Sequence, residues 1–211
     1  MSPAHAPQST PSEVTGALCR IAFASLTVSL DDSRERRHAV AKELLAWLGD
    51  FGEDGADVIE ARWEAGEFGK PRLVGGPEFS FSYSGEWVAV AVSEEPVGID
   101  LEQIRPVRLG DATLVLTSSE RDHVGDHPDP DEMLLRIWTR KEAVSKAAGV
   151  GMHAPFTEME AVDAGWVPLA GRSWHVMDVE GPRGTLVSLA TTSPPRVRVD
   201  FAPLVDRSPG S

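Results

Sequence analysis

Four residues of the chain combine charge and spacing in a way that could do chemistry. Asp100 and Glu102 lie two residues apart in "VGIDLE", and Glu142 and Lys146 lie four apart in "WTRKEAVSK". Residues two apart in a strand share a face, as do residues four apart in a helix. Three carboxylates brought together in this way would form an oxygen-rich site of the kind that binds Mg²⁺, and a lysine beside them would bind phosphate.

Simpler interpretations of both pairs stay open in the sequence. Asp100 and Glu102 repel each other, which is acceptable at a wet strand end as well as around a cation. Glu142 and Lys146 would as easily form a surface ion pair worth about 0.3–0.5 kcal/mol. The chain has no P-loop, no G-x-G-x-x-G, no G-x-S-x-G and no Cys/His cluster with zinc spacing, so other common phosphate, hydrolase and zinc motifs are missing.

The composition narrows the class of protein. A hydrophobic fraction of 41% and a charged fraction of 25% in 211 residues are typical of a soluble globular protein. The apolar runs are too short to span a membrane and the N-terminus lacks a signal-peptide pattern, so we expect a cytoplasmic protein with no membrane partner. A net charge of −13 argues against general nucleic-acid binding. The single cysteine, Cys19, is expected to be a buried and inert thiol.

The elements that must position these residues follow from hydrophobic periodicity and from helix-end signals. A helix is predicted over 31–51, with Val40, Leu44, Leu45 and Leu48 on one side, and a second over 129–149, ended by Gly149. Thr117 and Glu120 have the spacing of a capping box. Strands are predicted at 19–30, 57–63, 79–85, 87–93, 97–104, 158–164, 173–180, 184–192 and 196–201.

The chain is predicted to form two lobes between short tails. Residues 1–16 and 204–211 are expected to be disordered because they are rich in Pro and Ser or Thr and poor in large apolar residues. Residues 17–78 would form the N-terminal lobe and residues 79–203 the C-terminal lobe with the metal site. A passage rich in Gly and Pro, "GEFGKPRLVGGPE", lies between them.

Four segments together resemble the Sfp-type 4'-phosphopantetheinyl transferase family, and their order and spacing match as well. The segments are "FGKP" (68–71), "FSFSYSGEWVAVAV" (79–92), "PVGIDLEQIRP" (96–106) and "WTRKEAVSKAAGVG" (138–151). The resemblance implies an α+β (α/β) fold of two pseudo-twofold lobes. Each lobe would be a mostly antiparallel sheet with a long helix, and coenzyme A would bind in the cleft between them.

The resemblance also implies an activity. The family transfers the 4'-phosphopantetheine arm of coenzyme A to a serine of an acyl or peptidyl carrier protein, with Mg²⁺, and releases adenosine 3',5'-bisphosphate. By that resemblance Asp100, Glu102 and Glu142 would bind Mg²⁺. Lys146 would hold the α-phosphate and assist the leaving group, while Lys70 and Ser82 would contact the phosphates of coenzyme A. A monomer would be sufficient for this activity.

Two further assignments by resemblance concern residues that would bind phosphate groups of coenzyme A. Arg37 is the best match for an arginine that binds the 3'-phosphate, with Arg34 and Arg36 as alternatives. Tyr83 stands where the family commonly has histidine, so a neutral phenol would replace an imidazole as the donor to phosphate. The alternative for Tyr83 is an aromatic side chain packed in the core.

Further points stay open at the sequence level. The acceptor of the serine proton is Glu142 itself or a metal-bound water. The carrier protein would dock on residues 104–116, through Arg105 and Arg108 beside apolar residues, or this stretch is an ordinary helix packed on the core. The rival functions are a non-catalytic module that binds coenzyme A or a carrier, and a Mg²⁺-dependent nucleotide hydrolase.

Overall fold

The structure is a computed structural model and describes residues 16–26, 34–49, 62–107 and 114–202. Within these ranges the helices are α1 (Arg34–Leu48), α2 (Ser118–Asp126) and α3 (Pro130–Ala148). The strands are β1 (Leu18–Ser25), β2 (Trp63–Ala65), β3 (Pro71–Leu73), β4 (Glu78–Ser84), β5 (Trp87–Ser93), β6 (Val97–Gln103), β7 (Gly165–Leu169), β8 (Arg172–Asp178), β9 (Thr185–Thr191) and β10 (Arg196–Phe201).

Two four-stranded sheets make up most of the fold. The first has the strand order β10-β1-β5-β4 and the second has the order β6-β9-β8-β7, while β2 and β3 form a separate hairpin. The pairing of β1 with β10 is parallel, and the other pairings are antiparallel. The predicted α+β class with mostly antiparallel sheets is therefore confirmed. The pseudo-twofold relation between the lobes stays a prediction.

Each of the two sheets is covered by one long helix. Helix α1 buries Val40, Leu44, Leu45 and Leu48 against the first sheet, as its sequence periodicity predicts. Helix α3 packs on β6 and β9 of the second sheet. It begins where Asp129 accepts a hydrogen bond from the Glu132 amide at 3.0 Å, and it ends at Gly149, whose φ of 74° is left-handed as predicted.

A third apolar layer lies between strands of both sheets. It is built from β1 and β5 of the first sheet and from β6 and β9 of the second, and it includes Ile21, Ile99, Leu101 and Leu189. Cys19 belongs to the same layer and is fully buried. Burial raises the pKa of its thiol to about 12, so the expectation of an inert cysteine agrees with the structure.

The sheets do not follow the predicted lobe boundary between residues 78 and 79. Strands β4 and β5 pair with β1 in the first sheet, and the chain enters the second sheet only at Val97. β10, predicted to belong to the second lobe, also joins the first sheet beside β1. The reason lies in β5, whose residues 88–91 are buried on both faces and therefore belong at the centre of a sheet. Residues 1–15 and 203–211 of the predicted tails lie outside the described residues.

The strand predicted at 158–164 is wrong. The chain leaves a short 3₁₀ turn at Glu158 and regular structure resumes at Gly165. Side chains form hydrogen bonds with the backbone groups that a strand would use for pairing. The Ala161 amide donates to Glu120, and the carbonyls of Ala161 and Val162 accept from Arg140. The strand predicted at 57–63 lies almost wholly outside the described residues. In the part of the chain that the structure describes, no helix is long and apolar enough to cross a membrane.

Candidate functional site

A cavity of about 610 Å³ lies between α1, β4, β6, α3 and the loop around residue 69. This volume is within the usual range for sites of small molecules and cofactors. Seven of the residues predicted to form the site line it, namely Lys70, Ser82, Tyr83, Asp100, Glu102, Glu142 and Lys146. The sequence prediction that these residues meet in one cleft therefore agrees with the structure.

Strand β6 directs the first two acids into the cleft. Ile99 and Leu101 point into the apolar layer between the sheets, so Asp100 and Glu102 lie on the opposite face of the strand. The side chain of Asp100 is only 6% exposed and that of Glu102 is 18% exposed. A wet strand end is therefore the wrong interpretation of this pair.

Lys146 forms an ion pair with Asp100 across the cleft. Its Nζ lies 2.6 Å from Asp100 Oδ1 and donates to Ser82 Oγ at 3.0 Å. Ser82 Oγ in turn donates to Asp100 Oδ1 at 2.8 Å. The helix residue, the β4 residue and the β6 residue thus form one closed network, and Lys146 faces the cleft rather than the helix surface.

Two carboxylate oxygens in the cleft are buried and have no hydrogen-bond partner among the described residues. They are Asp100 Oδ2 and Glu142 Oε1. A buried carboxylate oxygen is costly unless a positive charge or a donor reaches it, so a hard cation such as Mg²⁺ fits this place. Within the described ranges, no group of three or more Asp, Glu, His or Cys side chains is arranged so that it could hold a metal ion.

The environment of the cleft shifts the pKa of two of its acids. The pKa of Glu142 is raised to about 7, mainly by burial and also by repulsion from Asp100, against the opposing charge of Lys146. Burial also raises the pKa of Glu102, again with a contribution from Asp100, while the hydrogen bond from Ser84 lowers it. The negative charges of Glu102 and Glu142 are therefore disfavoured in the cleft, which is expected of a site that is stabilised by a bound cation.

The raised pKa of Glu142 predicts a pH dependence of stability. In metal-free buffer, the unfolding free energy of the wild type should fall relative to that of Glu142→Gln as the pH rises. The folded pKa of about 7 exceeds the usual 4.5. Glu142 therefore contributes stability that is fully present below pH 4.5 and lost as the pH rises through 7, to a limit of roughly 3 kcal/mol. Urea unfolding with a chelator at about pH 5 and pH 8 checks this. Parallel curves would contradict it.

Lys70 lies at the edge of the cleft between the two sheets. Its Nζ donates to the carbonyl oxygen of Val97 at 3.0 Å and lies 3.6 Å from a carboxylate oxygen of Glu78. Burial lowers the pKa of this lysine, and Glu78 opposes that shift. The ammonium is thus held at the start of β6, and Lys70 lines the same cavity as the acids.

Tyr83 both packs on the first sheet's core and lines the cleft, so the two alternatives for it are not exclusive. The guanidinium of Arg37 lies 5.4 Å from the centre of the Tyr83 ring, which is a cation–π distance. The ring of His38 lies 6.2 Å from the same ring. Arg37 is thus not one of the residues that line the cavity, but from α1 it contacts Tyr83, which is. Arg36 lies on the same helix, as does the backbone of Arg34.

Sequence reasoning missed several residues of the site. Ser84 Oγ donates to Glu102 Oε2 at 2.9 Å, and Arg105 lies 3.6 Å from the same oxygen. The signal for Ser84 was present, because Ser80, Ser82 and Ser84 alternate on β4 just as the acids alternate on β6. His38 and Lys42 of α1 also line the cavity, and no pattern in the sequence singles them out.

The capping box at Thr117 is confirmed, and its glutamate has a second partner that the sequence did not indicate. Glu120 forms an ion pair with Lys141, and both side chains are fully buried. The Lys141 ammonium also donates to the carbonyls of Val115 and Phe156, each at 2.7 Å. This pair ties α2 and the 156 segment to α3, directly beside Glu142.

Strand β6 and helix α3, which carry the acids, lie in a segment that is similar to a known protein family. Residues 96–179 match the model of the 4'-phosphopantetheinyl transferase superfamily. The predicted resemblance to 4'-phosphopantetheinyl transferases is confirmed over this segment, which contains Asp100, Glu102, Glu142 and Lys146.

Curated relatives with the same family name agree with this match. The 4'-phosphopantetheinyl transferase ffp of Bacillus subtilis is 33% identical over 100 residues, which are 46% of this chain and 45% of the relative. Sfp of Bacillus subtilis (strain 168) is 30% identical over 103 residues, or 47% and 46% of the two chains. AcpT of Escherichia coli (strain K12) is 44% identical over 95 residues, or 40% and 47%. The chain thus spans about half the length of the curated 4'-phosphopantetheinyl transferases it matches.

Among solved structures, the holo-[acyl-carrier-protein] synthase (AcpS) of Thermotoga maritima aligns with a TM-score of 0.36 and 22% identity. The alignment covers 46% of this chain and 62% of that one. A likeness of this size carries no argument about function.

Proposed function

We propose that the protein is a Mg²⁺-dependent 4'-phosphopantetheinyl transferase that moves the phosphopantetheine arm of coenzyme A to a serine of an apo acyl or peptidyl carrier protein. One observation carries the proposal. A single cleft holds buried carboxylate oxygens of Asp100 and Glu142 that have no hydrogen-bond partner among the described residues, and Lys70 and Lys146 line the same cleft. The acids need a cation and the lysines suit phosphate, so the cleft fits a metal and a pyrophosphate together.

Asp100, Glu102 and Glu142 would hold Mg²⁺, which supplies positive charge to the pyrophosphate of coenzyme A when bound. Protein sites for Mg²⁺ commonly use one or two carboxylates and leave the other positions to water and phosphate. The buried oxygens of Asp100 and Glu142 support this, because two carboxylates without a hydrogen-bond partner among the described residues are enough for such a site.

The two lysines, which lie in different elements around the cleft, would bind the phosphates. Lys146, on α3, would contact the α-phosphate and stabilise the charge that develops on the leaving adenosine 3',5'-bisphosphate. Lys70 would contact the phosphates at the start of β6, and Ser82 would lie against them. The bonds of Lys146 and Ser82 to Asp100 support these roles, because they hold both groups beside the atoms that would bind the metal.

In the proposed reaction, the carrier serine oxygen forms a bond to the phosphorus that bears the pantetheine. The bond from this phosphorus to the bridging oxygen breaks, and that oxygen leaves with adenosine 3',5'-bisphosphate. The serine proton passes to Glu142, either directly or through a water molecule. The position of Glu142 in the same cleft as Asp100 and Lys146 supports it as the proton acceptor.

The remaining residues would bind other phosphate groups of coenzyme A and the carrier protein. Arg37, which lies over Tyr83 at the α1 side of the cleft, would bind the 3'-phosphate, and Tyr83 would donate to phosphate. The carrier would dock where Ile104, Arg105 and Leu114 are exposed, beside the end of β6. Arg108, predicted to take part, lies outside the described residues. We further propose that the enzyme works as a cytoplasmic monomer.

Intact-mass spectrometry tests the proposed function. With coenzyme A and Mg²⁺, an apo acyl or peptidyl carrier protein should gain one phosphopantetheine group, and the same carrier with its acceptor serine replaced by alanine should not. Binding of coenzyme A without modification of any carrier in a panel would favour a non-catalytic module. Breakdown of coenzyme A without an acceptor would favour a hydrolase. Either outcome would contradict the proposal.

A further inference from the structure

Three serines on β4 face β6 at the place where the two sheets meet. Ser80, Ser82 and Ser84 alternate along β4, so their side chains share one face of the strand. Ser80 and Ser82 are buried and Ser84 is half-buried. β4 is the last strand of the first sheet and β6 is the first strand of the second.

The hydroxyls of this serine row take the place of backbone partners for β6. The Ile99 amide donates to Ser80 Oγ at 3.1 Å, and the Gln103 amide donates to Ser84 Oγ at 3.0 Å. β6 pairs with β9 along its other edge, so these two amides need acceptors on the β4 side. The serines therefore fix the position of β6 relative to β4.

Ser84 does one thing more than Ser80. Its hydroxyl has one proton, and this proton is donated to Glu102 Oε2 while the oxygen accepts from the amide of Gln103. Through Ser84, the carboxylate of Glu102 is thereby linked to the backbone of its own strand, β6, at Gln103. Arg105 lies 3.6 Å from the same carboxylate oxygen and is half-exposed, so it is a competing partner for a Glu102 side chain that loses this bond.

We propose that Ser84 is a positioning residue that holds the Glu102 carboxylate in the cleft for cation binding, and does not itself touch substrate. The inference rests on the proposed function, because it needs the acids to bind a divalent cation. It assigns to Ser84 a task separate from that of Ser82, whose hydroxyl donates to Asp100 and lies beside Lys146.

The test measures Mn²⁺ binding by electron paramagnetic resonance, with and without saturating coenzyme A. Ser84→Ala should weaken Mn²⁺ binding about tenfold, which is the lower end of what the loss of a ligand's supporting hydrogen bond costs. Ser84→Thr keeps the hydroxyl and should restore binding to within about twofold of wild type.

Ser80→Ala is the matched control, since it removes the same kind of bond to a β6 amide without touching a carboxylate. It should lower the melting temperature and leave Mn²⁺ affinity unchanged. Equal Mn²⁺ affinities in Ser84→Ala and Ser80→Ala would overturn the inference, as would wild-type affinity in Ser84→Ala. A wild type that binds no Mn²⁺ in either condition would instead refute the metal site of the proposed function.

Discussion

Glu142→Gln is expected to lower the rate of phosphopantetheine transfer by about 10²–10⁴-fold, the usual contribution of a general base. The amide keeps the size of the side chain but can neither accept the serine proton nor bring negative charge to a cation. Its buried Oε1 position has no other partner among the described residues, so few existing contacts are lost. Carrier modification is measured by intact mass, and folding is measured by melting temperature.

Glu132→Gln is the matched control on the same helix. Glu132 pairs with Arg136 at 2.7 Å in an i,i+4 arrangement, and its side chain is 35% exposed. A surface ion pair of this kind is also the alternative interpretation of Glu142 and Lys146 in the sequence. Loss of the Glu132–Arg136 pair should change the free energy of unfolding by less than about 1 kcal/mol and should not affect transfer. Asp100→Asn should behave like Glu142→Gln. Near-normal transfer by both cleft variants would refute the assignment of the metal site and of the base.

Gly98→Ala is expected to destabilise the protein by about 3 kcal/mol or to prevent folding, although it adds a single methyl group. A Cβ at Gly98 would lie 2.0 Å from the carbonyl oxygen of Ala143 and 2.4 Å from the amide nitrogen of Ala147, both in the backbone of α3. Backbone atoms of a packed helix cannot turn aside, so α3 would have to move away from β6. A loss of this size should lower Tm by roughly 10 °C.

Gly125→Ala in α2 is the control, because a Cβ there would meet no atom of the described residues within 4 Å. It should leave the protein as stable as wild type or up to about 1 kcal/mol more stable, since alanine is the better helix residue. Thermal and urea unfolding of the two variants measure the difference. If Gly98→Ala unfolds like the wild type, the close approach of α3 to β6 is wrong, and with it the basis for the contact of Lys146 with Asp100.

Much of the local structure was predictable because it depends on neighbours in the chain. The apolar period of α1, the capping box at Thr117 and the left-handed position of Gly149 are each decided within a few residues. The common face of Asp100 and Glu102 follows from strand geometry alone. These predictions therefore agree with the structure without any knowledge of tertiary contacts.

The predictions that failed depended on which segments meet. The segment at 158–164 alternates like a strand, but Glu120 and Arg140 take the backbone groups of Ala161, and both come from helices distant in sequence. For the same reason, an apolar strand such as β5 does not indicate which sheet it will join, and the pairing of β4, β5 and β10 with the first sheet could not be read from the sequence. Hydrophobic alternation determines which face of a strand is buried, but it does not determine which other strands the strand pairs with.

For the site, the sequence determined which side chains have the chemistry, namely three acids, two lysines and a serine in segments with a family resemblance. Only the tertiary structure decided that Lys146 pairs with Asp100 and that Glu102 is held by Ser84. It also decided that oxygens of Asp100 and Glu142 are buried with no partner in the described part of the chain. The physical reason is that partner choice and burial depend on distances between β4, β6 and α3. Gly98 sets one of these distances by allowing backbone contact between β6 and α3, and the pKa of Glu142 follows from the burial that results.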